Sequence, residues 1–185
     1  MISKKSHSDD SMVEQRCEDS LVEIAAKQIL NNMANTYTQL NVHAVFAVKG
    51  RDSFLGNHFR DRLFEYISGI LLNIEQYPLA VGGHKDHVHI FFELNPKSSV
   101  SDILEKVKAN SSKWINENNF IPSKFQWQRG YGGFSYSRNQ RNNVIQYIMK
   151  QEEHHGHKTF KKEYLKIFEM FGITYDEKYI FEFYE

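Results

Sequence analysis

Three features of the chain predict an α+β domain of the ferredoxin-like split βαβ kind, an antiparallel sheet with helices on one face. Residues 36–48 and 87–94 alternate apolar and polar side chains with period two, and residues 54–74 and 98–119 carry apolar side chains at helical spacing. Residues 134–136 add a last extended segment after a glycine-rich stretch. With a further strand at 75–81, the order becomes strand, helix, strand, strand, helix, strand, which is that of the split βαβ unit. Many unrelated functions occupy this fold, so the side chains it carries must decide what it does.

Composition narrows the classes first. A chain of 185 residues is long enough for one domain with a sizeable core plus an appendage. The single cysteine, Cys17, excludes a disulfide framework within the chain and any zinc site built on cysteines, and it fits a reducing, cytoplasmic setting. No apolar run is long enough to span a bilayer, and residues 1–10 are too polar for a signal peptide, so no membrane partner is expected. A net charge of zero argues against a nucleic-acid partner, but the charge is unevenly spread. Residues 1–32 hold four basic and six acidic side chains, whereas residues 138–162 hold six basic and two acidic ones. A local basic stripe survives, although such runs are usually solvated helix faces.

In chain order, residues 1–32 read as a polar leader, partly disordered, with a short amphipathic segment carrying Leu21, Ile24, Ala25, Ile29 and Leu30. The ordered domain is expected over residues 33–185, and Met33 offers a second start site. In the first strand Leu40, Val42, Ala44, Phe46 and Val48 are apolar, while Gln39, Asn41 and His43 give it a polar face. His43 there is either a support for a site or simply exposed. A basic turn, Lys49-Gly50-Arg51, leads to the first helix, with Leu55, Phe59, Leu63, Tyr66, Ile67, Ile70 and Leu71. Pro78 assigns the next strand to a sheet edge, because proline cannot donate to a ladder. Gly82-Gly83 then turns a hairpin into the histidine strand. The second helix follows, with Val100, Ile103, Leu104, Val107, Ser111, Trp114 and Ile115 on one face.

Val88, Ile90, Phe92 and Leu94 alternate with His87, His89, Phe91 and Glu93, so both histidines point the same way. A rise of roughly 3.3 Å per residue separates such side chains by about 6–7 Å, close enough for two imidazoles to converge on one ion. The plainer reading is a pair of half-exposed polar residues. Residues 125–137 mix aromatics with three glycines and Arg129, a composition suited to turns beside a core strand or to backbone approach to phosphate. Residues 138–155 are again helical, and Tyr147 and Gln151 lie four apart on one face. The stripe Phe160, Tyr164, Phe168, Phe171 marks a last helix that stops at Gly172, before an aromatic tail.

The segment His87-Val88-His89, preceded by Gly82-Gly83 and Asp86, resembles the histidine, hydrophobic residue, histidine motif of HUH nucleases. Residues 126–135, followed by Tyr147-Ile148-Met149-Lys150-Gln151-Glu152-Glu153-His154-His155, resemble the single-tyrosine transposases of small insertion sequences, the REP-associated tyrosine transposases among them. The resemblance covers residues 33–182, and the leader departs from it. It implies that His87, His89 and Gln151 bind a divalent cation, Mg²⁺ or Mn²⁺, and that Tyr147 is the nucleophile. It also implies a homodimer whose tyrosine helix acts in cis or in trans. The expected activity is cleavage and transfer of single-stranded hairpin DNA through a 5′-phosphotyrosine ester. Lys49, Arg51, Lys85, Arg129, Arg138 and Arg141 are the candidate DNA contacts, each with a solvated-surface alternative. His154 and His155 are further candidates for DNA contact or structural support.

Three rivals stand beside this reading. A domesticated relative would nick chromosomal repeat hairpins without moving its own gene. A non-catalytic RNA-binding module would stack bases on the sheet, although only Phe91 is aromatic on the polar face of the histidine strand. A metal-binding structural protein would use Tyr147 only for packing.

Overall fold

The computed structural model describes residues 37–50, 54–155 and 158–184, with the side chain of His154 excepted. The leader, its amphipathic segment, Cys17, Met33 and Arg51 lie outside the described residues. The unit that carries the site begins at Gln39.

The period-two segments form β1 (Asn41–Ala47), β2 (Tyr77–Gly83), β3 (His87–Glu93) and β4 (Gly132–Tyr136), and the first helical segments form α1 (Asn57–Asn73) and α2 (Val100–Glu117). The strand order is β2-β3-β1-β4, with every neighbouring pair antiparallel. This is the split βαβ arrangement, with the histidine strand central. Pro78 lies on the edge strand as its missing N–H requires, beside a bulge between Pro78 and Ala80. Ser99 starts α2, its side chain accepting from the Asp102 N–H at 3.1 Å.

One face of the sheet holds the main core. Val42, Ala44 and Phe46 of β1 and Val88, Ile90 and Phe92 of β3 pack against Leu63, Ile67 and Leu71 of α1 and Ile103, Leu104 and Val107 of α2. Each of the larger of these side chains, once buried, contributes about 1.5–3 kcal/mol. The opposite face is covered too. A 3₁₀ turn (Arg138–Gln140), α3 (Arg141–Met149), α4 (Gln151–His155) and α5 (Phe160–Met170) follow β4. Phe160, Tyr164, Ile167 and Phe168 of α5, with Phe181 of the tail, pack on Val45, Ala47 and Phe134. Val144 and Ile148 of α3 pack on Ala80 and Phe91. The face that reads as polar in β1 and β3 is therefore an interior layer, and Asn41, His43, His87 and His89 are all buried in it.

Two local features set the site's geometry. The helical stretch 138–155 is not continuous: α3 ends at Met149, Lys150 takes a non-helical conformation, and α4 starts again at Gln151. The break turns Gln151 inward, where it is buried. Gly82 lets α3 lie directly on β2, since a Cβ there would sit 2.6 Å from the Ile148 carbonyl oxygen. The tail is clamped by Gln128. Its amide donates to the Glu182 carbonyl at 2.7 Å and to the Val48 carbonyl at 2.9 Å, and its oxygen accepts from the Glu182 N–H at 2.8 Å.

Candidate metal and tyrosine centre

Strand register places the two histidines. His87 lies opposite Ala47 and His89 opposite Val45, so small and branched neighbours leave room above them for α4 and α5. His43 is diagonal to His89, and His43 Nε2 lies 2.9 Å from His89 Nδ1. His87 Nδ1 lies 2.8 Å from Asp86 Oδ1. The Asp86 carboxylate accepts from His87 Nδ1–H, which leaves His87 Nε2 as an acceptor; in the tautomer where His89 donates its Nδ1–H to His43, its Nε2 is an acceptor facing the same space. Phe160 stacks on the His87 ring, with centroids 4.1 Å apart, and fixes its plane.

Glu163 of α5 fills that space. One of its carboxylate oxygens lies 3.7 Å from His87 Nε2 and the other 3.6 Å from His89 Nε2. The Tyr147 hydroxyl donates to Glu163, Gln151 Nε2 donates to it at 2.8 Å, and His155 Nε2 lies 2.8 Å from it. Gln151 Oε1 lies 3.4 Å from His87 Nε2. Ligand atoms of His87, His89 and Glu163 all fall within 4.8 Å of one another. The group fits a divalent cation on its own chemistry. His89 Nε2 is buried without a hydrogen-bond partner among the described residues, and two imidazoles with a carboxylate suit first-row divalent ions.

The electrostatics follow from burial around one negative charge. Burial pushes the His43 imidazole down to about 4, partly opposed by Glu163. Burial likewise holds His89 well below the ordinary histidine range. Burial alone would raise the Glu163 carboxyl, but His89, His155, His87 and the Tyr147 hydroxyl together hold it well below the carboxylate range. Tyr147 is pushed far up, first by burial and then by the charge and hydrogen bond of Glu163. Without a cation, the pocket stores a carboxylate and a neutral phenol.

The sequence-predicted residues divide accordingly. His87, His89, Tyr147 and Gln151 are brought together, all from one chain. His155 joins them through Glu163. Lys49, Lys85, Arg129 and Arg138 are exposed, Lys85 lying over the Phe54 ring at 5.3 Å. Arg141 is half-buried and paired with Glu93 at 3.7 Å. Glu163 and the Asp86 contact were not assigned from sequence, while His43, read as a support for a site or simply exposed, is buried beside His89. The signal available for Glu163 was an acidic residue beside Tyr164, on the margin of an apolar helix stripe.

The fold and this centre define a transposase-type domain, and comparison with known families agrees. The family described as "Transposase IS200 like" matches residues 36–151, and the chain belongs to it. Among curated proteins no relative matches. Two solved structures share the fold. One is a candidate transposase from Deinococcus radiodurans R1, 21% identical, with a TM-score of 0.52, covering 65% of this chain and 96% of that one. The other is a REP-associated tyrosine transposase bound to a REP hairpin, 16% identical, with a TM-score of 0.50, covering 68% of this chain and 74% of that one. Among the described residues, no helix is long and apolar enough to cross a membrane.

Proposed function

We propose that the protein is a metal-dependent single-strand DNA transferase that cleaves hairpin-bearing ends of an insertion sequence through Tyr147. The observation that carries this reading is the convergence of the Tyr147 hydroxyl on the group formed by His87, His89, Gln151 and Glu163. His87, His89 and Glu163 would hold Mg²⁺ or Mn²⁺, with the Gln151 amide oxygen as a further ligand. When bound, the ion supplies charge to polarise the scissile phosphate and stabilise its transition state.

The chain's own residues supply the rest. Tyr147 attacks phosphorus, a bond forms from the tyrosine oxygen to phosphorus, and the bond from phosphorus to the 3′-oxygen breaks. The tyrosine proton faces Glu163, and the departing 3′-oxygen takes up a proton to leave as a hydroxyl. Reversal by a second 3′-hydroxyl rejoins the strand without a nucleotide cofactor, because the ester conserves the phosphodiester energy. Asp86 and His43 fix the ring orientations throughout.

Both the mobile-element and the repeat-nicking readings use this chemistry. A base-stacking RNA module does not fit, because the sheet face it would expose is covered by α3 and α5, with Phe91 and His89 fully buried. A dimer, expected from the resemblance, would be an assembly of complete sites, since one chain supplies every residue of the group. The REP-associated tyrosine transposase of similar fold is bound to a REP hairpin, which makes hairpins the first substrate to try.

The test is incubation of the protein with labelled single-stranded hairpin DNA from the gene's own flanks and Mn²⁺. A denaturation-resistant protein–DNA adduct is expected, and Tyr147→Phe should abolish it. Wild type that binds this DNA and forms no adduct would overturn the proposal.

A further inference from the structure

A second cavity adjoins the centre through a shared wall. It has a volume of about 340 Å³, at the lower end of the ~300–1,000 Å³ typical of small-ligand sites. Asp86, His155 and Phe160 line it from the metal side, and each also touches the histidine group: Asp86 bonds His87, His155 reaches Glu163, and Phe160 stacks on His87. Four lysines, Lys85, Lys158, Lys161 and Lys162, line the remainder. The acidic side chain among them, Asp86, is engaged by His87. His84 and His155 stack with centroids 4.8 Å apart and form a flat wall. Phe183 and Tyr184 of the clamped tail also line it.

We propose that this cavity is a nucleotide subsite, taking one deoxynucleotide unit of single-stranded DNA next to the scissile phosphate. The lysines receive its phosphate and Phe183 its base. The inference rests on the proposed single-stranded DNA substrate. Cations beside aromatic faces are the combination that binds single strands with little base preference, since every base has a π face. Position adds to composition: a phosphodiester held at His87 and His89 needs a place for its next residue, and Asp86, Phe160 and His155 form the boundary it would cross. The alternative source of the same chemistry is a free phosphate, which would use the lysines and ignore the ring.

The test measures binding of a short labelled oligothymidylate by fluorescence anisotropy in EDTA, at stepped salt concentrations, so that no cleavage is involved. The perturbation is Lys158→Glu with Lys162→Glu. Both side chains are exposed, and acidic residues at a helix N-terminus favour α5, so the fold persists. Affinity should fall about tenfold, and the slope of log affinity against log salt should shrink by about 0.7–1.4, the value for one or two phosphate contacts on a single strand. Lys113→Glu, on the far side of the sheet in an exposed pair with Glu117, should change neither. Thymidine 5′-monophosphate should compete better than inorganic phosphate against wild type, and Phe183→Ala should remove that preference.

Unchanged oligothymidylate binding by the lysine variant overturns the subsite, even if wild type forms the Tyr147 adduct. Equal competition by phosphate and nucleotide also overturns it. A lysine effect on binding together with no adduct leaves the subsite standing and removes the transferase reading instead.

Discussion

Replacing Glu163 by glutamine separates the two roles of its carboxylate. In the protein without a cation, Glu163 is a buried charge whose desolvation is offset by Tyr147, Gln151 and the facing imidazoles. A glutamine keeps an oxygen for Tyr147 and Gln151, offers an N–H to His155, and removes the charge. Stability without metal should therefore fall by about 1.5–3 kcal/mol, the worth of a hydrogen bond to a charged group, because the facing groups favour the ionised carboxyl.

Metal binding should weaken separately, and a melt of each protein against its own metal-free state reads it. Loss of a ligand costs at least as much as loss of an outer-shell partner, about 100-fold at the upper end. At a cation concentration of 100 times the wild-type Kd, bound metal adds about 2.7 kcal/mol. For a domain of this size that is a rise in Tm of roughly 5–11 °C. In Glu163→Gln the same concentration equals the new Kd, and the gain falls to about 0.4 kcal/mol, a rise of about 1 °C. The assay is a thermal melt with Mn²⁺ titrated against EDTA-treated protein. An equal Mn²⁺-induced rise in both proteins would remove Glu163 from the ligand set.

Further outcomes follow from the packing. Gly82→Ala should cost about 1–3 kcal/mol in urea denaturation and slow adduct formation, because its Cβ would displace the Ile148 carbonyl and with it the helix that carries Tyr147. Gln128→Ala leaves the Val48 carbonyl buried without its side-chain donor and frees the tail at Glu182, so a loss of about 1–3 kcal/mol with faster hydrogen exchange at 181–184 is expected. Acidification should weaken the metal-free fold. His43, near 6.5 when unfolded and about 4 when folded, contributes stability that is complete above pH 6.5 and lost as pH falls toward 4, about 3 kcal/mol at ~1.4 kcal/mol per pH unit. The depressed carboxyls of Asp86 and Glu163 act in the same direction but chiefly below about pH 4, and His89 and His84, both lowered first by burial, add to the His43 loss, so urea midpoints near pH 7 and pH 4.5 read these histidines together.

The sheet and its two covering helices were legible because each obeys a simple period. Pro78 even located the edge strand. The histidine pair was legible for the same reason, since period two puts residues 87 and 89 on one face. What period two does not say is whether that face is wet. Val45, Ala47 and Phe91 sit on it among the polar residues, so β1 and β3 come close to the continuous apolar runs of strands buried on both sides. The break at Lys150 was illegible because no glycine or proline marks it. It follows from the need of Gln151 to reach Glu163, a contact 12 residues away.

Glu163 shows why the centre could not be completed by motif alone. The family match ends at residue 151, after Tyr147 and Gln151, and α5 lies beyond it. Yet α5 does two things at once. Phe160, Tyr164, Ile167 and Phe168 bury the face of the sheet that carries the histidines, and Glu163, between Phe160 and Tyr164, takes its position from the same packing. Gly132 makes this possible, since a Cβ there would lie 2.7 Å from the Tyr164 hydroxyl. The carboxylate is thus held by the apolar cover as a whole, and the energy that closes the core also preorganises the candidate metal site. A side chain so placed leaves no spacing signature in the chain, because its position is set by tertiary packing and not by a local period.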